Sequence, residues 1–240
     1  MRFIPLPDGQ RLSFYLAAEE YVSATLRPAA DCWMMWQVGP SVICGRNQDI
    51  AAEVDLAYCA AHGIGVFRRK SGGGCVYADR GNVMLTFITP SDQVAFTYHR
   101  FVEMLLLLLR EMGVEATHTG RNDILVGAHK VAGTAYHLTP SGHSVVHSTM
   151  LFDADMHHMQ RAITPPPSKL GRHGVASVSQ RIGLLSHHTA TTPRQFIAMA
   201  RKRLCTDELQ LTDSDLAAIR TLEHHFIPQL PHNLQPTNQS

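Results

Sequence analysis

Three consecutive glycines, Gly72-Gly73-Gly74, separate two runs of strand character, residues 65–69 and Val76-Tyr77. No helix passes through such a run, because glycine loses more conformational freedom on ordering than any other residue. The segment is therefore a connection between strands, and something should require it. Glycine lets the backbone approach a ligand closely and aim successive N–H groups at an anion. Arg68, Arg69 and Lys70 stand immediately before it and supply charge for phosphate or carboxylate, which arginine can bind in bidentate fashion. Taken alone, a flexible turn with solvated charges is the commoner reading. The run is neither a Walker loop nor a G-x-G-x-x-G fingerprint, since the Lys70-Ser71 pair precedes the glycines and no helix follows.

Around this loop the pattern alternates between helical and extended periods. Helical spacing covers 12–27, with Leu12, Tyr15, Leu16 and Tyr21 on one face, and recurs at 51–62, 95–112, 153–163, 193–205 and 213–225. Residues 32–43 read as a strand pair broken at Gly39-Pro40, and further strands fit 65–69, 76–77, 82–88, 122–126, 130–137 and 144–152. Residues 164–174 read as a loop. No internal repeat or composition break marks a second domain. The expectation is one α+β domain over 1–228, a mixed β-sheet core with packed helices, followed by a flexible, proline-bearing tail at 229–240.

Composition excludes several classes. With 45% hydrophobic and 17% charged residues over 240 positions, the chain is ordinary globular protein, large enough to need no staples. A net charge of +1 gives no broad surface for nucleic acid, so any anion site must be local. The longest apolar stretch, 104–109, falls far below the ~20 residues that span a bilayer. Five cysteines without a C-x-x-C pair, and an N-terminus without a signal-peptide core, lead us to expect a reducing, cytoplasmic setting. The histidine pairs at 157–158, 187–188 and 224–225 lack metal-site companions and read as solvated surface.

Two further segments carry chemistry. Gly120-Arg121-Asn122-Asp123-Ile124 precedes Lys130-Val131-Ala132-Gly133-Thr134-Ala135. A lysine in an apolar strand is costly to desolvate unless it meets a negative partner, which a bound phosphate or carboxylate would provide. By itself, a surface lysine on an edge strand is the commoner case. Asp123 could be a turn residue or a metal contact. The later His147-Ser148-Thr149 and the run 174–181 draw no comment on their own.

Taken together and in this order, the segments resemble the lipoate–protein ligase A family of the biotin/lipoate protein ligase superfamily, over roughly residues 12 to 225. The resemblance rests on R-R-x-S-G-G-G-x-V-Y at 68–77 with the Gly81-Asn82 turn, G-R-N-D-I at 120–124, and K-V-x-G-x-A at 130–135. The run 45–48 and Glu53-Val54 resemble the family's early signature. It implies the class II biotin/lipoate ligase-like catalytic fold. It also implies activation of lipoate with ATP and Mg²⁺ to lipoyl-AMP, then transfer to one lysine of a lipoyl-carrier domain. The carriers implied are those of 2-oxoacid dehydrogenases or the glycine-cleavage carrier protein.

Carried over residue by residue, Lys130 matches the lysine that contacts both the lipoyl carboxyl and the phosphate, and is the catalytic candidate. Arg69, Ser71, Gly72, Gly73, Gly74, Cys75, Val76 and Tyr77 match the segment that binds ATP and lipoyl-AMP, with Asn122, Asp123, Gly133 and Ala135. Asp123 is the candidate Mg²⁺ contact. An apolar slot from 131–135 and 149–152 would hold the dithiolane tail. The chain departs from the family at Ala78, where a histidine is usual, and at Ser148, within a segment that usually reads H-H-G-T. Many members carry a further C-terminal domain tied to adenylation, in some relatives a separate polypeptide, so an accessory subunit joins the expected partners. Two rival readings are an octanoyl or lipoyl transferase of the same fold, working through a cysteine thioester, and a non-catalytic scaffold that binds lipoyl carriers.

Overall fold

The computed structural model describes residues 1–120, 122–164 and 181–228. The expected tail at 229–240, Arg121, most of the 164–174 loop and of the 174–181 run lie outside the described residues. In chain order the strands are β1 (Arg2–Phe3), β2 (Cys32–Trp36), β3 (Ser41–Cys44), β4 (Gly65–Arg68), β5 (Val76–Ala78), β6 (Asn82–Thr89), β7 (Thr117–His118), β8 (Asp123–Val126), β9 (His129–Leu138), β10 (Ser144–Leu151) and β11 (Asp207–Glu208). The α-helices are α1 (Leu12–Glu20), α2 (Ile50–Glu53), α3 (Leu56–Ala61), α4 (Val94–Glu111), α5 (Met156–Ala162), α6 (Pro193–Leu204) and α7 (Asp213–Leu222).

The expected mixed-sheet α+β architecture is present, but the strands divide between two sheets. An eight-stranded sheet runs β11-β1-β2-β6-β10-β9-β8-β7, and a three-stranded sheet runs β4-β3-β5. In the larger sheet β11, β1 and β2 are parallel, while the pairs from β2 to β7 are antiparallel. The pair expected over 32–43 is corrected: β2 pairs with β6, and β3 pairs with β4 and β5. Every residue of β2 and β3 is buried, so each needs covering on both faces, which a shared hairpin would not give. The single helix expected over 51–62 breaks at Val54, and the carboxylates of Asp49 and Asp55 cap the two pieces.

Strand alternation sorts the core into layers. Trp33 and Met35 of β2, with Val83, Leu85 and Phe87 of β6, pack under Phe101, Leu105 and Leu108 of α4 and Phe196 of α6. The alternate residues Met34, Trp36, Met84 and Ile88 pack under Phe14, Tyr15 and Leu16 of α1 and Ile219 of α7. Each fully buried large apolar side chain contributes roughly 1.5–3 kcal/mol. In the small sheet, Ile43 and Phe67 join the α1 layer, while Val42, Val66 and Tyr77 face α3 and α5. The glycine loop therefore leaves the small sheet toward α1 and the centre of the large sheet.

Candidate functional site

A cavity of about 150 Å³ lies between the two sheets, lined by Leu16 and Glu19 of α1, Trp36, Ile43, Arg69, Gly73 to Val76, Met84, Asn122, Lys130, Gly133 to Ala135, and His147 to Thr149. It gathers the glycine loop, the 122–123 region and β9, three segments far apart in the chain. A larger open depression of about 1350 Å³ shares only Trp36 with it and is lined by the N-terminal residues and the start of α6. The smaller cavity is the candidate site, because it alone combines main-chain donors with a lysine.

The three basic residues ahead of the glycines are committed to protein groups. Arg68 Nη1 donates to the carbonyls of Gly45, Arg46 and Gln48, each at 3.0 Å. Lys70 Nζ pairs with Glu20 at 2.5 Å and lies over the Phe226 ring. Buried Arg69 donates through Nε to Ser71 Oγ (3.0 Å), through Nη1 to the Ile43 carbonyl (2.9 Å), and through Nη2 to the carbonyls of Gly72 (2.7 Å) and Gly74 (2.9 Å). Burial lowers its pKa, with nearby Cys75, Cys44 and Glu19 opposing. The planar fork thus folds the loop by binding its carbonyls.

With those carbonyls turned onto Arg69, the amides of Gly72, Gly73 and Gly74 meet no acceptor among the described residues. Gly73 has φ +93° and its absent Cβ would lie 2.9 Å from Arg69 Nη2, so a side chain is excluded twice. Gly45 packs its α-carbon against the Gly73 carbonyl, where a Cβ would come within 2.0 Å of the oxygen. Of the remaining loop residues, Val76 faces the cavity, whereas Tyr77 points to the opposite face of its sheet. Tyr77 does not line the cavity.

Lys130 reaches the cavity through a β-bulge. Ile124 pairs with Ala132 but Leu125 pairs with Lys130, leaving Val131 as the extra residue of β9. Strict alternation would put Lys130 and Gly133 on opposite faces; the bulge restores Lys130 to the Gly133 face. Its side chain lies so close over Gly133 that a Cβ there would fall 2.9 Å from both Cε and Nζ. Lys130 Nζ forms an ion pair with Asp123 Oδ1 at 2.7 Å. The Asn122 carbonyl accepts from the amide and hydroxyl of Thr134, at 2.8 and 3.0 Å, and its exposed side chain reaches the cavity.

On the α1 side a buried polar chain closes the site. Thr86 Oγ1 donates to Glu19 Oε1 (2.5 Å), Glu19 Oε2 meets His147 Nδ1 (3.1 Å), and His147 Nε2 meets Ser71 Oγ (2.7 Å). Thr86 and His147 are cross-strand partners, which fixes the spacing of their bonds to Glu19. Burial pushes the Glu19 carboxyl up, but the attraction and hydrogen bond of His147 and the bond from Thr86 outweigh it and hold it below its usual range. Ser148 Oγ donates to the Gly133 carbonyl at 3.0 Å. Ala78 is fully buried in the α1 layer.

Sequence reading did not assign Glu19, Trp36 or His147 to the site. The available signal was Glu19 itself, a carboxylate directly after the largely apolar helical run 12–18. For Mg²⁺ the donor set is a single carboxylate, Asp123, and no group of three metal-ligating side chains exists among the described residues. That set fits an ion held chiefly by substrate phosphates and water.

A family model described as the lipoyl protein ligase A/B catalytic domain matches residues 12–205. The chain is 34% identical over 232 residues to lipoate–protein ligase 1 of Staphylococcus aureus, covering 93% of this chain and 70% of that relative. It is 37% identical over 172 residues to lipoate–protein ligase LplJ of Bacillus subtilis, covering 71% of this chain and 52% of that relative. In structure it is similar to a chain of the bipartite lipoate–protein ligase system of Thermoplasma acidophilum, with TM-score 0.80, 22% identity, and 93% and 91% of the two chains covered. A lipoate–protein ligase A bound with ATP gives TM-score 0.77 at 21% identity, covering 93% and 94%. These structural likenesses establish the fold. The sequence matches go further, and the chain belongs to the lipoyl protein ligase A/B catalytic domain family.

Proposed function

We propose that this chain is an ATP-dependent lipoate–protein ligase that forms lipoyl-AMP and transfers the lipoyl group to a lysine of a lipoyl-carrier domain. The observation that carries the reading is Lys130, folded over Gly133 into a cavity whose facing wall is the main chain of Gly73 and Gly74. The names of the relatives, and the lipoyl domain solved with the archaeal system, support it.

In the first step a carboxylate oxygen of lipoate attacks the α-phosphorus of ATP, and pyrophosphate leaves. Two anions must meet, so fixed positive charge at the meeting point is the main requirement. Lys130 supplies it on one side and the glycine-loop amides on the other, both held in place before substrate arrives. The arriving carboxylate or phosphate takes over Lys130 from Asp123. When bound, Mg²⁺ would be held by Asp123 and would neutralise phosphate charge. In the second step the carrier's lysine amine attacks the acyl carbonyl and AMP leaves. Lys130 then stabilises the oxyanion. The Glu19–His147–Ser71 chain positions the loop throughout.

A thioester-forming transferase is a weaker second reading. Among the described residues Cys75 is the one thiol lining the cavity, and the neighbouring Cys44 thiol, then its burial, push its pKa up, away from the thiolate that a nucleophile needs. The deciding experiment is lipoate-dependent pyrophosphate release from ATP, alone and with an apo lipoyl domain. Release establishes adenylation by the chain itself. Carrier modification only when synthetic lipoyl-AMP is supplied would assign the chain the transfer step and adenylation to a partner subunit. No activity in either assay overturns the ligase reading.

A further inference from the structure

Two thiols meet beside the glycine loop. Antiparallel pairing sets Ile43 opposite Val76 and Val42 opposite Tyr77, and continuing that register by one position would set Cys44, the last residue of β3, opposite Cys75, which immediately precedes β5. Directly opposed residues of antiparallel strands have α-carbons about 4.5–5.5 Å apart, within the roughly 4.4–6.8 Å that a disulfide spans. Both side chains lie in the layer of Val42 and Tyr77 on one side of the small sheet, where Cys75 Sγ also donates to Glu53 Oε2 at 3.7 Å. Cys44 is fully buried, but Cys75 is partly exposed, which gives a small oxidant a route to the pair. We propose that Cys44 and Cys75 are a redox modification site, joined on oxidation by a reversible disulfide that ties the glycine loop to the end of β3.

The surroundings favour this pair over the remaining cysteines. The neighbouring Cys75 thiol lowers the Cys44 pKa against the effect of burial, and the guanidinium groups of Arg68 and Arg69 help. Burial pushes Cys32 up to about 11, Cys59 up to about 12 and Cys205 up, and the Cys75 thiol is pushed up as well, so Cys44 is the attacking thiolate. With hydrogen peroxide as oxidant, the Cys44 thiolate attacks one oxygen, the O–O bond breaks, and hydroxide leaves to become water. The partner sulfur then attacks the sulfenic sulfur; the S–S bond forms and a second water leaves. Two thiols lose two electrons and two protons, and peroxide is reduced to two waters. The cross-link would sit between Gly45, packed on the Gly73 carbonyl, and Gly74, bound to Arg69, so the loop loses its freedom to adjust around a ligand.

The test does not depend on the ligase reading. The full chain is treated with hydrogen peroxide, then unfolded in urea while its remaining thiols are blocked with iodoacetamide, and its peptides are mapped by mass spectrometry with and without dithiothreitol. Two of the five thiols should escape blocking, and a peptide joining Cys44 to Cys75 should appear and vanish on reduction. Cys75→Ser should leave all of its remaining thiols open to blocking. Separate alkylation or separate over-oxidation of Cys44 and Cys75, or a bond from Cys44 to Cys59 instead, would overturn the proposal. Because the wild-type map alone decides between these outcomes, a poorly folding variant does not blunt the test.

Discussion

Lys130 Nζ and Asp123 Oδ1 stand 2.7 Å apart, an ion pair that crosses from β9 to β8 at the bulge around Val131. Their side chains are only 31% and 18% exposed, so the lysine is held at one point in space while its charge is kept solvated by a carboxylate. Among the described residues that line the cavity, Lys130 is the cation paired with a side chain that a substrate anion can displace, whereas Arg69 is bound to loop carbonyls.

Lys130→Ala should retain the fold and lose both half-reactions, by about 10²–10³-fold in rate, the usual effect of removing one fixed charge-stabilising group. Pyrophosphate release and transfer from synthetic lipoyl-AMP measure the two steps, and circular dichroism checks the fold. Gly133→Ala should act more selectively. The methyl group would press on the flexible end of Lys130 rather than on backbone, so the melting temperature should hold while kcat falls. Full activity in Gly133→Ala would refute the placement of Lys130.

The glycine run should divide into tolerant and intolerant positions. Gly72 has open space where a Cβ would sit, so Gly72→Ala should change stability by less than about 1 kcal/mol. Gly45→Ala drives a methyl into the Gly73 carbonyl. It should cost about 1–3 kcal/mol and weaken ATP binding, since the loop must shift to admit it. Thermal melts and ATP titration of the two variants make the comparison.

Arg69→Lys should fail to rescue Arg69→Ala. One ammonium cannot serve acceptors as widely placed as Ser71 Oγ and the carbonyls of Ile43, Gly72 and Gly74. Each variant strands buried carbonyls, at about 1–3 kcal/mol apiece, so both should be strongly destabilised by urea denaturation. Wild-type stability in the lysine variant would show that charge, not the planar fork, organises the loop.

Stability should fall on acidification in two stages. Burial, and then the neighbouring His147, bring His137 from 6.5 down to about 4, with Glu19 opposing. The unfolded chain therefore takes up this proton first. The native state holds its full advantage above pH 6.5 and loses it progressively as pH falls to about 4. Glu19, held below its usual 4.5, also favours the native state above that value, and its contribution fades at still lower pH. Melting temperatures followed across this range should decline, and His137→Leu should flatten the first stage.

The sequence by itself determined the element pattern and the chemical parts. The helical period at 95–112 and the extended, β-branched and apolar character of 82–88 and 144–152 are local consequences of which side chains must be buried, and α4, β6 and β10 follow them. The glycine run and Lys130 stood out because each is costly without a purpose. Which parts meet was decided by tertiary structure. No local signal says that β2 and β3 enter different sheets, since both are simply apolar and extended. The bulge at Val131 arises from the pairing of β9 with β8, and only that pairing turns Lys130 over Gly133. Glu19, Thr86, His147 and Ser71 are spread over more than a hundred residues, and their hydrogen-bonded chain exists only once α1 packs on the sheet. Arg69 was legible as a charged group before the glycines, but only the fold shows that it lines the cavity while its fork binds the carbonyls of Gly72 and Gly74.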